Sequence, residues 1–158
     1  MTAAPVAVVG GGSWGSALAV HLGRLGLGPR LWARDAALVG LIRSKRENPW
    51  YLPDIPLPET LSVTSDLAEA LDGAGLVIVA VPSHVFDAIM EAAAARLGGG
   101  TTLLSATKGL DPERSRRMSE IASARCPALP IAVLSGPTFA REVALGRPTA
   151  AVVASAEP

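Results

Sequence analysis

Short apolar runs alternate along the chain with longer segments in which apolar residues recur at helical spacing. The runs predict strands at residues 6–9, 29–35, 76–81, 101–105, 131–134 and 150–154. The segments between them predict helices at residues 16–23, 36–45, 66–71, 82–97, 113–125 and 139–145. The continuous run at 76–81 is typical of a strand that is covered on both faces. This alternation predicts an α/β fold with a doubly wound, mostly parallel sheet and helices on both faces.

The first apolar run breaks into a glycine-rich turn at Gly10, Gly12 and Gly15, which has the spacing G-x-G-x-x-G between a strand and a helix. Gly10 allows the sharp turn, Gly12 leaves room for a pyrophosphate, and Gly15 allows close packing of the helix. Free N–H groups at the start of the helix then attract the phosphates. The motif predicts a Rossmann-like dinucleotide site, in which Ser13 and Trp14 lie within the phosphate-binding turn.

Two charges follow the second predicted strand, about 20 residues beyond the turn, where a ribose-reading group is expected. Asp35 can accept the 2′-hydroxyl of NAD, whereas Arg34 can pair with the 2′-phosphate of NADP. The alternative is that both are solvated charges at a strand end. We favour use of NADP with NAD tolerated.

Further polar groups follow later strands and are expected at the same edge of the sheet. Lys108 can serve a phosphate or polarise a carbonyl, or can be an ordinary surface lysine. The turn at 135–138 suits an anion, or is a plain turn capped by a threonine. His84 is more simply explained by its place in the first turn of a helix that Ser83 caps. No residue pattern suggests a metal site.

Composition narrows the class of protein. The 158 residues suit one domain, and 14 basic against 14 acidic residues give no net charge, so nucleic-acid binding is not expected. We expect neither membrane insertion nor a signal peptide, and therefore a cytoplasmic protein. Cys126 is the single cysteine, is predicted to be buried, and demands no oxidising compartment. Four prolines exclude regular helix at 46–58.

Five motifs together resemble bacterial NAD(P)-dependent glycerol-3-phosphate dehydrogenase from the first strand to the end of the chain. They are Gly10-Gly11-Gly12-Ser13-Trp14-Gly15, Asn48-Pro49-Trp50-Tyr51-Leu52-Pro53, Val81-Pro82-Ser83-His84, Thr107-Lys108-Gly109-Leu110 and Ser135-Gly136-Pro137-Thr138-Phe139-Ala140. The resemblance implies reduction of dihydroxyacetone phosphate to sn-glycerol 3-phosphate for phospholipid synthesis, with NADP(H) or NAD(H) as cofactor and no nucleic-acid partner. One departure is Asp54, which stands where the family often has glycine.

The resemblance also implies residue roles. Cofactor contacts would come from Ser13, Trp14, Arg34, Tyr51, Lys108 and Ala140. Substrate contacts would come from Lys108, Gly136 and Thr138. The family's proton-donating lysine belongs to a helical C-terminal domain, so no catalytic residue is assigned in this chain.

Residues 155–158 look like the start of another helix capped by Ser155, which suggests a domain at 1–158 that is cut short at its C-terminal end. We therefore expect the chain alone to bind the cofactor but to turn over substrate at a negligible rate. The whole enzyme is expected to form a homodimer. Two alternatives stay open. One is a non-catalytic NAD(P)-binding or sensing module, and the other is a related dehydrogenase for another phosphorylated or acidic substrate.

Overall fold

The computed structural model describes residues 4–156 and places nine strands within them. In chain order they are β1 (Val6–Val9), β2 (Arg30–Trp32), β3 (Glu47–Asn48), β4 (Leu52–Pro56), β5 (Ser62–Thr64), β6 (Leu76–Val79), β7 (Thr102–Ser105), β8 (Ile131–Ser135) and β9 (Val152–Ser155). Seven of them form one sheet in the order β5-β2-β1-β6-β7-β8-β9. Neighbours in that sheet are parallel except for the antiparallel pair β8–β9. The predicted doubly wound, mostly parallel sheet is confirmed.

Helices cover both faces of this sheet. They are α1 (Ser13–Arg24), α2 (Ala36–Lys45), α3 (Leu67–Leu71), α4 (Ser83–Ala94), α5 (Met118–Arg125) and α6 (Ala140–Ala144). One apolar core, which includes Val8, Ala17 and Ile42, lies under α1, α2 and α6. The other, which includes Val77, Phe86 and Ile121, lies under α3, α4 and α5. Successive side chains of a strand such as β1 point alternately into the two cores, which explains the unbroken apolar runs in the sequence.

The helix predicted at 113–125 begins later, at Met118. The residues before it form a turn in which Ser115 has a left-handed φ of 52°. A β-bridge pairs Leu110 with Arg117 across that turn. A left-handed residue and a bridged turn are incompatible with a continuous right-handed helix, so the prediction for 113–117 is wrong.

The proline-rich segment at 46–58 contains no helix, as predicted, and instead forms the antiparallel pair β3–β4. Strand β5 was not predicted. At the C-terminal end, Ser155 is the last residue of β9, and its hydroxyl donates to the Ile131 carbonyl, so it does not cap a helix there. The remainder of the predicted helix start, at 157–158, lies outside the described residues.

The structure also shows how far Trp32 and Cys126 are buried and which residue caps α4. Trp32 is buried and donates from Nε1 to the Ser65 carbonyl, so it belongs to the core. Cys126 is also buried, as predicted, and burial raises the pKa of its thiol. Ser83 does not cap α4. Pro82 holds the cap position, and Ser83 is the first helical residue.

Candidate functional site

The loops predicted to carry chemistry lie together because β1, β2, β6, β7 and β8 run parallel. Their carboxyl ends therefore meet at one edge of the sheet. The glycine-rich turn follows β1 at the centre of this edge, with the loops after β2 and β6 on either side of it. Ligands of such sheets bind in the crevice outside this edge.

The glycine-rich turn has the geometry expected of a phosphate cradle. Gly10 has φ of 129°, and a Cβ there would lie 2.3 Å from the Ala80 carbonyl oxygen. A Cβ on Gly15 would lie 1.9 Å from the Gly10 carbonyl oxygen, so α1 can approach β1 only because residue 15 is glycine. A Cβ on Gly12, by contrast, would have no atom within 4 Å. Gly12 therefore faces open space.

Helix α1 begins at Ser13, inside the motif and earlier than the predicted residue 16. Its N-cap is Gly12, and among residues 4–156 no side chain caps it. Helix α2 differs, because Asp35 Oδ1 accepts from the backbone N–H groups of Ala37 at 2.8 Å and Leu38 at 3.2 Å. The N terminus of α1 thus keeps its first N–H groups and its positive dipole end for an anionic ligand.

A cleft of about 340 Å³ extends from the glycine-rich turn over the ends of β2 and β6. Its lining includes Gly10, Gly12, Arg34, Tyr51 and His84. Arg34 is exposed, and Tyr51 is half exposed, at 51%. The cleft thus brings together the first two of the motif's glycines and the predicted Arg34 and Tyr51.

Asp35 also lines this cleft, but the Oδ1 atom of its carboxylate already caps α2. A structural role therefore explains this residue without a ligand. Of these two residues, Arg34 is the one whose guanidinium can pair with a phosphate on the ribose. The reading of the ribose by either residue stays a prediction.

Lys108 joins the glycine-rich turn to the loop after β8. Its Nζ donates to the Gly136 carbonyl at 3.2 Å and to Thr138 Oγ1 at 3.4 Å. The same ammonium lies 5.6 Å from the centre of the Trp14 ring, within range of a cation–π contact. Trp14 is itself fixed by a bond from Nε1 to the Ala106 carbonyl at 3.1 Å. Residues predicted for cofactor and for substrate therefore meet at one cation.

Thr107 ties the loops after β6 and β7 to each other. Its buried Oγ1 donates to the Val79 carbonyl at 3.2 Å and accepts from the Val81 N–H at 3.2 Å. The hydroxyl thereby extends the pairing of β6 and β7 beyond their last residues. The loop that carries Lys108 is held by this link to the loop that leads into α4.

The β3–β4 hairpin packs between the glycine-rich turn and α6. Asn48, which is fully buried, donates from Nδ2 to the Gly11 carbonyl at 2.9 Å and to Ser16 Oγ at 2.8 Å. On the other side, Arg141 of α6 donates to the Pro53 carbonyl at 2.8 Å. Ala140, the predicted cofactor contact, is the first residue of α6 and packs against the apolar core. The hairpin thus connects the glycine-rich turn to α6.

Sequence reasoning did not assign roles to Asn48, Thr107 or Arg141. Each bonds to a partner far along the chain; Asn48 and Gly11, for example, are 37 positions apart. Their only signal in the sequence is their position inside or beside the five motifs quoted above.

An ion-pair network holds the loop after Lys108 against α4 and α5. Asp87 accepts from Arg125 at 2.6 Å and from Arg116 at 3.1 Å, and Arg116 also pairs with Asp111 at 3.2 Å. The bond from Arg125, together with that from Arg116, holds the pKa of Asp87 below its ordinary value. The bonds to Asp87 and Asp111 raise the pKa of Arg116. These shifts belong to a structural network behind the site.

Within residues 4–156 no helix is long and apolar enough to cross a membrane. The same residues hold no group of three or more His, Cys, Asp or Glu side chains that could bind a metal ion.

Comparisons with known proteins all identify the same family. Residues 5–158 match the model of the NAD-dependent glycerol-3-phosphate dehydrogenase N-terminus. The chain is 46% identical over 153 residues to glycerol-3-phosphate dehydrogenase [NAD(P)+] of Stenotrophomonas maltophilia (strain R551-3), covering 96% of this chain and 45% of that protein. The same enzyme of Rhodospirillum rubrum is 45% identical over 152 residues, covering 96% of this chain and 44% of that protein.

A solved structure agrees with these relatives. The crystal structure of glycerol-3-phosphate dehydrogenase from Coxiella burnetii superposes with a TM-score of 0.93 at 37% identity, covering 98% of this chain and 47% of that one. The chain thus spans a little under half the length of the relatives it matches. The chain therefore belongs to the NAD-dependent glycerol-3-phosphate dehydrogenase family and corresponds to the N-terminal part of its members.

Proposed function

We propose that the chain binds NADPH or NADH in the cleft above the glycine-rich turn. The diphosphate would lie over Gly12 and the uncapped start of α1, where no side chain intrudes and free N–H groups are available. Arg34 and Tyr51 would contact the adenosine half from the sides of the cleft. The cofactor contacts proposed as a set are Gly10, Gly12, Ser13, Trp14, Gly15, Arg34, Tyr51, Lys108 and Ala140.

We further propose that this part of the enzyme holds the phosphorylated substrate through Lys108, Gly136 and Thr138, in the reduction of dihydroxyacetone phosphate to sn-glycerol 3-phosphate. The observation that carries this proposal is the position of the Lys108 ammonium. It lies 3.4 Å from Thr138 Oγ1 and 5.6 Å from the centre of the Trp14 ring, so one cation faces both ligands. The relatives' own names give the activity at the level of the family.

The reduced nicotinamide supplies a hydride when it is bound. The chain's contribution is to bind, orient and neutralise charge. The Lys108 side chain can stabilise a phosphate or a developing alkoxide, with Thr138 as a neighbouring donor. The family resemblance assigns the proton donor to a lysine of the helical domain, so we assign no catalytic residue here and expect negligible turnover by the 158-residue chain.

The proposal is tested by titrating the chain with NADPH and NADH and following energy transfer from tryptophan to the reduced nicotinamide. Trp32 lines the cleft and Trp14 belongs to the glycine-rich motif, so binding should give a strong signal. Arg34→Ala should weaken NADPH binding by about tenfold or more, since a charged hydrogen bond contributes about 1.5–3 kcal/mol, and should leave NADH nearly unchanged.

Arg147→Ala, an exposed arginine outside the cleft, is the matched control and should bind both cofactors normally. No binding of either cofactor by the wild-type chain would refute the proposed function. Equal losses for NADPH and NADH would show that Arg34 does not read the 2′-phosphate.

As parts of the same proposal, the enzyme would work in the cytoplasm, supply glycerol 3-phosphate for phospholipid synthesis, and form a homodimer. The single, buried cysteine is compatible with a reducing compartment. Sedimentation of the purified enzyme would test the dimer.

A further inference from the structure

Asn48 is a polar side chain that is fully buried at the base of the cofactor cleft. Both N–H groups of its amide are used, one on the Gly11 carbonyl at 2.9 Å and one on Ser16 Oγ at 2.8 Å. Its Oδ1 accepts from the Tyr51 N–H at 3.2 Å. The amide is thus satisfied in three directions, and each direction leads to a different segment of the chain.

The bond to Gly11 has a consequence for the turn. In a planar trans peptide the carbonyl of one residue and the N–H of the next point in opposite directions. Asn48 holds the Gly11 carbonyl toward the protein interior, so the Gly12 N–H points away from the interior. A Cβ of Gly12 would meet nothing within 4 Å, so Gly12 borders open space. Asn48 thus turns one backbone donor away from the interior, on the residue over which we propose the diphosphate to lie.

The bond to Tyr51 acts on another part of the cleft lining. Tyr51 is 51% exposed and lines the same cleft as Gly10, Gly11 and Gly12. Its backbone is held by the Asn48 side chain, three residues earlier in the chain. The Asn48 amide thus bonds both to the glycine-rich turn and to the backbone of Tyr51.

We propose that Asn48 is a positioning residue for NAD(P)H, which orients the Gly11–Gly12 peptide and holds Tyr51 over it. The inference rests on the proposed binding of NAD(P)H in this cleft and deepens it. Asn48 touches no ligand itself, and its effect passes through Gly12 and Tyr51.

The test measures NADPH affinity and melting temperature for Asn48→Ala. The matched control is Thr101→Val, which removes another buried hydrogen bond, from Thr101 Oγ1 to the Ala74 carbonyl at 2.8 Å, at the opposite edge of the sheet. Both variants should melt at lower temperature, because each removes a hydrogen bond that a buried side chain donates to a backbone carbonyl. Asn48→Ala alone should weaken NADPH binding, by about tenfold.

A double-mutant cycle with Tyr51→Ala separates positioning from simple destabilisation. Because part of the effect of Asn48 passes through Tyr51, Asn48→Ala should cost only about threefold in the Tyr51→Ala background. Equal losses in both backgrounds would overturn the link to Tyr51. Unchanged affinity in Asn48→Ala would overturn the whole inference and leave the proposed function intact, whereas a wild-type chain that does not bind NADPH would overturn both.

A measurement on the unmutated chain covers the case in which Asn48→Ala fails to fold. Amide hydrogen exchange at Gly12 and Tyr51 should slow together on addition of NADPH. Free exchange of the Tyr51 amide in the NADPH complex would contradict the inference.

Discussion

Replacement of Gly12 by alanine should separate cofactor binding from folding. Gly12 has φ of −74° and ψ of −177°, which any residue adopts, and a Cβ there meets no atom within 4 Å. The protein can therefore accept the methyl group without a clash. The same methyl group would occupy the space that we assign to the diphosphate.

The expected change in stability follows from two opposing effects. Alanine is a poorer N-cap than glycine by about 0.5–1 kcal/mol, but it reduces the entropy of the unfolded chain by about 0.4–1 kcal/mol. These contributions nearly cancel, so the melting temperature should stay within a few degrees of wild type. Loss of even one charged hydrogen bond between the α1 N terminus and a phosphate costs about 1.5–3 kcal/mol, or about 10- to 150-fold in affinity.

The assay is an NADPH titration combined with thermal denaturation of the same preparation. Gly15→Ala is the informative contrast, because its Cβ would lie 1.9 Å from the Gly10 carbonyl oxygen and should destabilise the fold itself. If Gly12→Ala bound NADPH as tightly as wild type, the diphosphate would not lie over Gly12, and the reasoning would be refuted.

Two further predictions concern stability. Asp54→Gly should stabilise the chain by about 0.5 kcal/mol. Asp54 has a left-handed φ of 63°, and relief of this backbone strain, about 1 kcal/mol, exceeds the cost of the greater unfolded-state entropy of glycine. Denaturant titration would measure the change, and a clear destabilisation would contradict the prediction. Asp87→Asn should lower the melting temperature at neutral pH, because it breaks the bonds from Arg116 and Arg125. The lowered pKa of Asp87 means that its contribution is present above its ordinary value of 3.8 and is lost as pH falls through the folded-state pKa, so the two proteins should converge in acid. A difference that is constant with pH would refute this assignment.

The central strands β1 and β6 could be predicted because they are buried on both faces, which leaves an unbroken apolar run in the sequence. Strand β5 has no such signal. It is a three-residue edge strand in which Ser62 and Thr64 flank a single buried valine, Val63. The late start of α5 could not be predicted either. Ser115 has a left-handed backbone conformation, which the sequence would signal only if the residue were glycine.

The candidate site shows the same division. The positions of Gly10, Gly12 and Lys108 follow from the rule that loops after parallel strands share one edge, and the structure brings them together there. The bond between Asn48 and Gly11 depends on how a hairpin folds back over α1. Such a contact between distant segments is decided by packing and is not encoded in any local spacing.

The hydroxyl of Thr107 limits how the site can be redesigned. Because it both donates to Val79 and accepts from Val81, a change of substrate that shifts the Lys108 loop must also move the loop leading into α4. Serine at position 107 keeps both bonds, whereas valine, of nearly the same shape, keeps neither. Libraries that vary this loop should therefore recover hydroxyl residues at 107 even when selected only for a new substrate.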